Sequence, residues 1–281
     1  MQINALTGAF GAEVFDIDLK GGINPEQARL IEDALAKNVV LVFRNQDLDI
    51  DDFERFARAL GEFGDTPFIA PIDGHPNVLR LLREPEEKGP LFGSGWHSDW
   101  SFQLEPPSAT LLYALEVPEV GGDTVFTNQY LAYESLSESM QSILRGLRGL
   151  HSAERSYGPQ GTFGKNDPDS SMDIEGDETA VVLQTHPLVR SHPLTGRQSL
   201  FVNEVYTVGI EGMTKTESSA LLEFLFEHSR QIAFTCRVRW MQGTLTMWDN
   251  RATQHFAIND YAGSKREMYR ITLAGEQPVL N

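Results

Sequence analysis

The chain has a single cysteine and no excess of basic residues. Cys236 alone excludes an internal disulfide framework and a cysteine metal cluster, which fits a reducing compartment. Lys and Arg number 23 against 40 Asp and Glu, for a formal charge of -17. Because this charge repels a phosphate backbone, nucleic acid is not a predicted partner.

Long apolar runs are also missing. No stretch approaches the roughly 18 apolar residues of a membrane helix, and the first residues contain no basic region followed by an apolar run. We therefore predict a cytoplasmic protein without a membrane partner. With 41% hydrophobic and 10% aromatic residues, the 281-residue chain can bury a sizeable core.

Glycine-rich phosphate loops and repeated βαβ units are absent as well. Short strand-like stretches, such as 39–43, 109–117 and 234–240, occur throughout the chain, while helix signals concentrate near the N-terminus and at 214–230. This order predicts one mostly β domain over 1–281, with a β-sandwich or jelly-roll core and flanking helices.

Helix boundaries carry explicit signals. Asn24 followed by Pro25 predicts the start of the first helix, and Thr214 with Glu217 forms a capping box for the last one. Residues 134–148 have the pattern of one amphipathic helix.

The segment at about 152–185 is rich in Gly, Asp, Ser and Pro. It includes GPQGTFGKNDPDSSMDIEGDET, which is too polar for a predicted core element. Long loops of this kind are often functional, so we predict a mobile loop or lid.

The motif GWHSDW carries the first chemical signal. His97 and Asp99 are two residues apart at a predicted strand or its edge, and side chains at that spacing point to one face. Two imidazoles and one carboxylate on one face of an octahedron leave three positions open, as non-haem iron(II) requires. His97 and Asp99 therefore predict two ligands of a metal site, and the third ligand must come from elsewhere in the chain.

Downstream residues complete the pattern. His255 lies in WDNRATQHFA near Asp249, and Arg266 and Arg270 follow in SKREMYRITL. Four-residue spacing on a strand points both arginines to one face, and a guanidinium suits a carboxylate.

Together these motifs resemble the taurine dioxygenase and aryloxyalkanoate dioxygenase family of 2-oxoglutarate-dependent enzymes. The likeness spans nearly the whole chain and is carried by the stretches LTGAFGAEVFDIDL, VVLVFRNQ, WHSDWSFQLEPPSATLLYALEVPEVGGDTVFTN, HPLVRSHPLTGRQSLFVNEVY and WDNRATQHFAINDY. It implies a distorted double-stranded β-helix with a cupin-like jelly-roll core.

The resemblance also implies roles for single residues. His97, Asp99 and His255 would hold Fe(II), and 2-oxoglutarate would chelate it while its far carboxylate pairs with Arg266 and Thr124. The implied reaction uses O2 to decarboxylate 2-oxoglutarate to succinate and CO2, coupled to hydroxylation of a substrate carbon and, beside a leaving group, cleavage of a C–O or C–S bond.

Arg270 would face the anionic group of the substrate or frame the co-substrate, with a surface ion pair as the alternative. We predict that Asp249 and Asn250 orient His255 or brace its loop.

The remaining aromatic and imidazole side chains have plainer interpretations. Core packing is favoured over substrate contact for Trp96, Trp100 and Trp248, and packing or hydrogen bonding over metal ligation for His151, His186, His192, His75 and His228.

The substrate is predicted only by class. Taurine-specific members carry a histidine after the FGD element and an asparagine before the WH-x-D motif, where this chain has Phe68, Ile69, Gly93 and Ser94. Taurine is therefore a doubtful substrate, and a small or medium anion such as an aryloxyalkanoate, alkylsulfate or alkylsulfonate is predicted.

Two other functions remain open from the sequence: a metal-binding jelly-roll protein without catalysis, and a zinc hydrolase that uses the same ligands. A homo-oligomer, dimer or tetramer, is expected from the resemblance.

Overall fold

The computed structural model describes residues 1–163 and 170–281, and these residues form a mostly β structure with flanking helices. The strands are β1 (Gln2–Ala5), β2 (Ala12–Phe15), β3 (Val40–Phe43), β4 (Pro71–Ile72), β5 (His75–Arg83), β6 (Ala109–Glu116), β7 (Thr124–Asn128), β8 (Arg148–His151), β9 (Gln184–Pro187), β10 (Val189–Ser191), β11 (Gln198–Leu200), β12 (Thr207–Ile210), β13 (Thr235–Val238), β14 (Leu245–Asp249), β15 (Thr253–Ala257) and β16 (Arg266–Leu273). The helices are α1 (Pro25–Asn38), α2 (Ile50–Leu60), α3 (Gln129–Glu134), α4 (Glu138–Arg145), α5 (Glu154–Tyr157) and α6 (Lys215–Ser229), with 3₁₀ turns at Glu178–Val181 and Ile232–Phe234. No helix among these residues has the length and apolar character needed to cross a membrane.

One large sheet and three small ones hold the strands. The large sheet has the order β1-β2-β3-β14-β6-β16-β5-β4 and is antiparallel except for the β2–β3 pair. The small sheets have the orders β13-β7-β15, β12-β8-β9 and β10-β11. Since no sheet of the described residues closes on itself, the layers of the core are open sheets rather than a barrel.

The central strands of the large sheet are buried on both faces. On β3, Leu41 and Phe43 point toward helices α1 and α2, where they belong to one apolar cluster. Val40 and Val42 point the other way, into a second cluster shared with Phe126 of the β13-β7-β15 sheet. Because side chains alternate along each strand, the large sheet packs against helices on one face and against the β13-β7-β15 sheet on the other. Polar side chains of the two sheets can meet in the space between them.

The predicted helix starts are confirmed. Asn24 and Gln27 cap α1 reciprocally with Pro25 at its first turn, and Thr214 and Glu217 do the same for α6. Such boxes satisfy N–H groups that a helix leaves unpaired at its first turn.

Two predictions in the middle of the chain need correction. The helix expected over 134–148 is confirmed but shorter: α4 spans Glu138–Arg145, because Ser137 starts it by accepting a hydrogen bond from the Met140 N–H and β8 begins at Arg148. The segment 152–185 is not excluded from the core, since Ala153, Tyr157 and Ala180 are buried in an apolar cluster. Its predicted mobility stays a prediction, and residues 164–169 of it lie outside the described residues.

Candidate active site

His97 and His255 meet through their backbones. The His255 N–H donates to the His97 carbonyl at 2.8 Å and the His97 N–H donates back at 3.2 Å, which makes an isolated antiparallel bridge. His255 lies on β15, whose pairing with β7 places it opposite Phe126. Two residues 158 positions apart are thus fixed side by side by main-chain bonds.

The side chains of His97, Asp99 and His255 converge on one point. Asp99 Oδ1 lies 3.6 Å from His97 Nε2 and 3.8 Å from His255 Nε2, and all three ligand atoms lie within 4.8 Å of one another. All three residues are buried. Two imidazole nitrogens and one carboxylate oxygen at this separation fit a single divalent ion of the non-haem iron type.

The imidazoles are in the form that binds a metal. His97 Nδ1 lies 2.8 Å from the Gly95 carbonyl, which can only accept, so Nδ1 carries the proton and Nε2 presents its lone pair. Burial lowers the pKa of His97, and it lowers the pKa of His255 to about 3. Both rings are therefore neutral at neutral pH.

Asp99 is held by a chain of hydrogen bonds that the sequence did not predict. Thr110 Oγ1 donates to Asp99 Oδ2 at 2.6 Å, and Asn250 Nδ2 donates to Thr110 Oγ1 at 2.8 Å. Asn250 Oδ1 accepts from Trp248 Nε1 at 3.0 Å. The chain leaves Asp99 Oδ1 as the oxygen that faces both histidines.

The prediction that Asn250 orients His255 is wrong, because its amide bonds to Thr110 and Trp248 and so positions Asp99. The prediction that Asp249 braces the loop before His255 is confirmed. Asp249 is fully buried between His192 Nε2, at 2.9 Å, and the Arg251 guanidinium, and it also accepts from the Arg251 N–H within that turn. Among the described residues His255 Nδ1 has no hydrogen-bond partner.

One sequence signal could have marked Thr110 as a residue with a hydrogen-bonding role. It is a hydroxyl residue inside the apolar strand stretch ATLLYALEV, and buried polar groups are nearly always hydrogen-bonded. Which group it bonds depends on the register that sets β6 beside β14, where Thr110 is opposite Trp248.

Arg270 is buried against the same carboxylate. Its Nη2 lies 2.8 Å from Asp99 Oδ1, and its guanidinium stacks over Trp100 with Cζ 4.9 Å from the ring centre. Although burial alone would raise the pKa of Asp99, the Arg270 charge and the Thr110 hydrogen bond hold it well below the usual range. The surface ion pair considered for Arg270 is wrong, since only 3% of the residue is exposed.

Arg266 lies on the same face of β16 but in different surroundings. It is 8% exposed and forms no ion pair with any described residue, and its Nε has no hydrogen-bond partner among them. Burial lowers its pKa. A buried guanidinium without a counter-ion is unfavourable, so this position favours an anion from outside the chain.

Thr124 completes this end of the cavity. Its Oγ1 accepts a hydrogen bond from Trp240 Nε1 at 3.0 Å, which leaves its own hydroxyl hydrogen free to donate elsewhere. Arg266 Cζ lies 5.8 Å from the centre of the Trp240 ring. One cavity is lined by the three metal-ligand candidates, both arginines, Thr124 and apolar walls from Leu81, Phe92, Leu112, Trp248 and Ala257.

Three other histidines bear out their plainer interpretations. His151 pairs with the Ser101 hydroxyl at 3.1 Å, His186 with the Gln103 carbonyl at 2.9 Å and His192 with Asp249. His75 pairs with Glu54 at 2.8 Å, and since Asp51, Glu54 and His75 also lie within 4.8 Å of one another, its preference over metal ligation stays a prediction.

Aromatic packing is likewise confirmed for Trp100 and Trp248, which are 1% and 2% exposed in apolar clusters. Trp248 also lines the cavity.

The sequence of this chain also matches known proteins. The profile of the family described as "Taurine catabolism dioxygenase TauD, TfdA family" matches residues 2–272. An alkylsulfatase of Acinetobacter baylyi is 34% identical over 98% of this chain and 86% of its own. The α-ketoglutarate-dependent sulfate ester dioxygenase of Pseudomonas putida is 33% identical over 99% and 91%. The α-ketoglutarate-dependent 2,4-dichlorophenoxyacetate dioxygenase of Cupriavidus pinatubonensis is 34% identical over 98% of each chain.

Solved structures agree with the sequence comparisons. A taurine dioxygenase from Burkholderia xenovorans superposes with a TM-score of 0.82 at 35% identity, covering 99% of this chain and 92% of the other. AAD-2 in complex with Mn(II) and N-oxalylglycine superposes with a TM-score of 0.84 at 28% identity, covering 99% and 98%. The predicted jelly-roll fold is thereby confirmed.

Proposed function

The chain belongs to the taurine catabolism dioxygenase TauD, TfdA family, and on that premise we propose that His97, Asp99 and His255 hold one Fe(II) ion. The chain is a 2-oxoglutarate-dependent dioxygenase. The convergence of three buried ligand atoms within 4.8 Å supports this assignment most directly. When bound, the ion supplies the redox chemistry that couples O2 to decarboxylation of 2-oxoglutarate and hydroxylation of the substrate.

The residues of the chain position the partners. Arg266 binds the far carboxylate of 2-oxoglutarate by charge-assisted hydrogen bonds, and the Thr124 hydroxyl, oriented by Trp240, adds another donor. Thr110 fixes the orientation of Asp99. Apolar walls around the ligands exclude water from the reaction.

The substrate is a small or medium organic anion that enters beside Arg270, such as an alkylsulfate, alkylsulfonate or aryloxyalkanoate. The names of the relatives cover alkylsulfates, sulfate esters and the aryloxyalkanoate 2,4-dichlorophenoxyacetate. Arg270 is buried beside Asp99, so an anion bound there would hold its reacting carbon near the metal ligands.

Taurine fits this cavity poorly. Phe68 stacks on Tyr157 with ring centres 4.9 Å apart, and Gly93 lines the cavity without a side chain. The Ser94 hydroxyl donates to the Leu91 carbonyl at 2.7 Å. Thus neither region offers the histidine or the asparagine that taurine-specific members carry, and the amine of taurine in particular has no partner there.

The alternatives have less support. A zinc hydrolase or a non-catalytic metal protein has no use for the Arg266 guanidinium, which has no ion pair among the described residues, and two of the relatives above are named α-ketoglutarate-dependent dioxygenases. The homo-oligomeric state and the cytoplasmic location stay predictions.

A panel assay tests the function. Protein with Fe(II), 2-oxoglutarate and O2 is incubated with an alkylsulfate, an alkylsulfonate, an aryloxyalkanoate or taurine while succinate is measured. We expect one of the first three to stimulate succinate formation more than taurine, and only with O2. If no anion stimulates turnover, the substrate class is wrong; turnover of an anion without O2 would favour a hydrolase.

A further inference from the structure

Tyr261 has a buried hydroxyl that the mechanism above does not use. The residue lies between β15 and β16, is 5% exposed, and its Oη has no hydrogen-bond partner among the described residues. Burial raises its pKa, so the hydroxyl stays protonated and can donate. A buried donor without an acceptor is unfavourable, and each such group in a folded protein requires an explanation.

The loop that carries Tyr261 is fastened to the GGDT motif. The Gly122 N–H donates to Asp260 Oδ1 at 2.7 Å, and a Cβ placed on Gly121, which has φ +89°, would lie 2.8 Å from the Asp260 carbonyl. A Cβ on Gly122 would lie 3.2 Å from Tyr261 Cδ1 and 3.5 Å from Arg266 Cδ. The ring of Tyr261 and the stem of Arg266 therefore flank the same glycine, two residues before Thr124.

Tyr261 and Arg266 also face a common space. They line a cavity beside the metal-site cavity, and Arg266 lines both. Arg266 thus lines one cavity with Thr124, whose hydroxyl hydrogen is free, and the adjacent cavity with Tyr261, whose hydroxyl has no partner among the described residues.

We propose that Tyr261 is a co-substrate-binding residue, whose hydroxyl donates to the far carboxylate of 2-oxoglutarate beside Arg266 and Thr124. An ionised carboxylate offers about four lone-pair sites, so it can accept from all three residues. The inference rests on the proposed placement of that carboxylate at Arg266.

Binding of 2-oxoglutarate tests this role without turnover. Anaerobic Fe(II)-loaded protein is titrated with 2-oxoglutarate while the charge-transfer absorption is followed. We expect Tyr261→Phe to weaken binding by about 10- to 100-fold, the usual loss for a hydrogen bond to a charged acceptor. The position of the band should not change, because Tyr261 does not contact the proposed metal ligands.

Two controls separate a direct contact from a general disturbance. Tyr269→Phe removes a hydroxyl from the opposite face of β16, where the ring packs against the helix-side cluster, and should leave the affinity unchanged. The second control is 2-oxovalerate, which has the same carbon chain without the far carboxylate and should bind Tyr261→Phe and the parent protein equally.

The outcomes are distinct. Unchanged affinity for 2-oxoglutarate in Tyr261→Phe, or an equal loss for both keto acids, would overturn the role of Tyr261. Absence of any 2-oxoglutarate-dependent band in the parent protein would instead contradict the proposed function on which the inference rests.

Discussion

The two ends of the active-site cavity differ in how their polar groups are satisfied. At the metal end, Asp99 accepts from Thr110 and lies beside the Arg270 charge, and His97 donates to the Gly95 carbonyl, although His255 Nδ1 has no hydrogen-bond partner among the described residues. At the anion end, Arg266 has no ion pair among the described residues, and its Nε and the Tyr261 hydroxyl have no hydrogen-bond partner among them. Groups that bond within the chain are positioned before a ligand arrives, whereas groups without partners gain most from one.

The contrast is sharpest between two arginines on one strand. Arg266 and Arg270 are four residues apart on β16, both are buried, and they line the same cavity. Among the described residues, Arg270 has a carboxylate within ion-pair distance and Arg266 has none. We infer that Arg270 stabilises the ligand-free protein through its charge beside Asp99. Arg266 contributes instead to the binding of 2-oxoglutarate.

Replacing each arginine by methionine should give opposite results, and this is the largest effect we expect. Arg266→Met should weaken 2-oxoglutarate binding by about 100-fold or more, because a buried charge pair is lost. The free energy of unfolding of the metal-free protein should change by less than about 1 kcal/mol or rise, since an unpaired buried charge is removed.

Arg270→Met leaves Asp99 buried without its cation, and should lower the free energy of unfolding by about 3–5 kcal/mol. Urea unfolding of both metal-free variants, with the parent protein beside them, measures the difference. Equal destabilisation by the two substitutions would show that the ends of the cavity do not differ in this way.

A smaller effect is expected at Thr110. Thr110→Val keeps the shape of the side chain but removes the donor to Asp99 Oδ2, and should weaken metal binding by roughly 10- to 100-fold, as is typical for groups that orient a ligand. Thr110→Ser keeps the hydroxyl and should restore most of the affinity. A Co(II) titration of both variants checks this; similar losses in Val and Ser would mean that packing, not the hydrogen bond, matters.

Some of the fold could be predicted because its signals are local. The caps at Asn24 and Thr214 and the strand within 234–240 follow from neighbouring residues, and all three are confirmed. The start of α4 was placed too early because the helical periodicity continues across Ser137, whose side chain caps the helix there.

The metal ligands of the site could be predicted from the sequence, whereas the residues that hydrogen-bond to them or to the co-substrate could not. His97, Asp99 and His255 stand in recognisable motifs, and their convergence in the structure needs only the bridge between the two backbones. Thr110 and Tyr261 lie in an ordinary strand and an ordinary loop, and only the strand register and the fit of loop against Gly121 bring them to the site. Such long-range placement leaves no pattern in the local sequence.

The central claim is that His97, Asp99 and His255 hold one ferrous ion. Anaerobic equilibrium dialysis with Fe(II), followed by metal analysis, tests it on the parent protein, on His255→Ala and on a control, His228→Gln, which alters a histidine bonded to Ser135 away from the site. We predict one ion per chain in the parent and control and almost none in His255→Ala. Undiminished Fe(II) binding by His255→Ala would contradict the account.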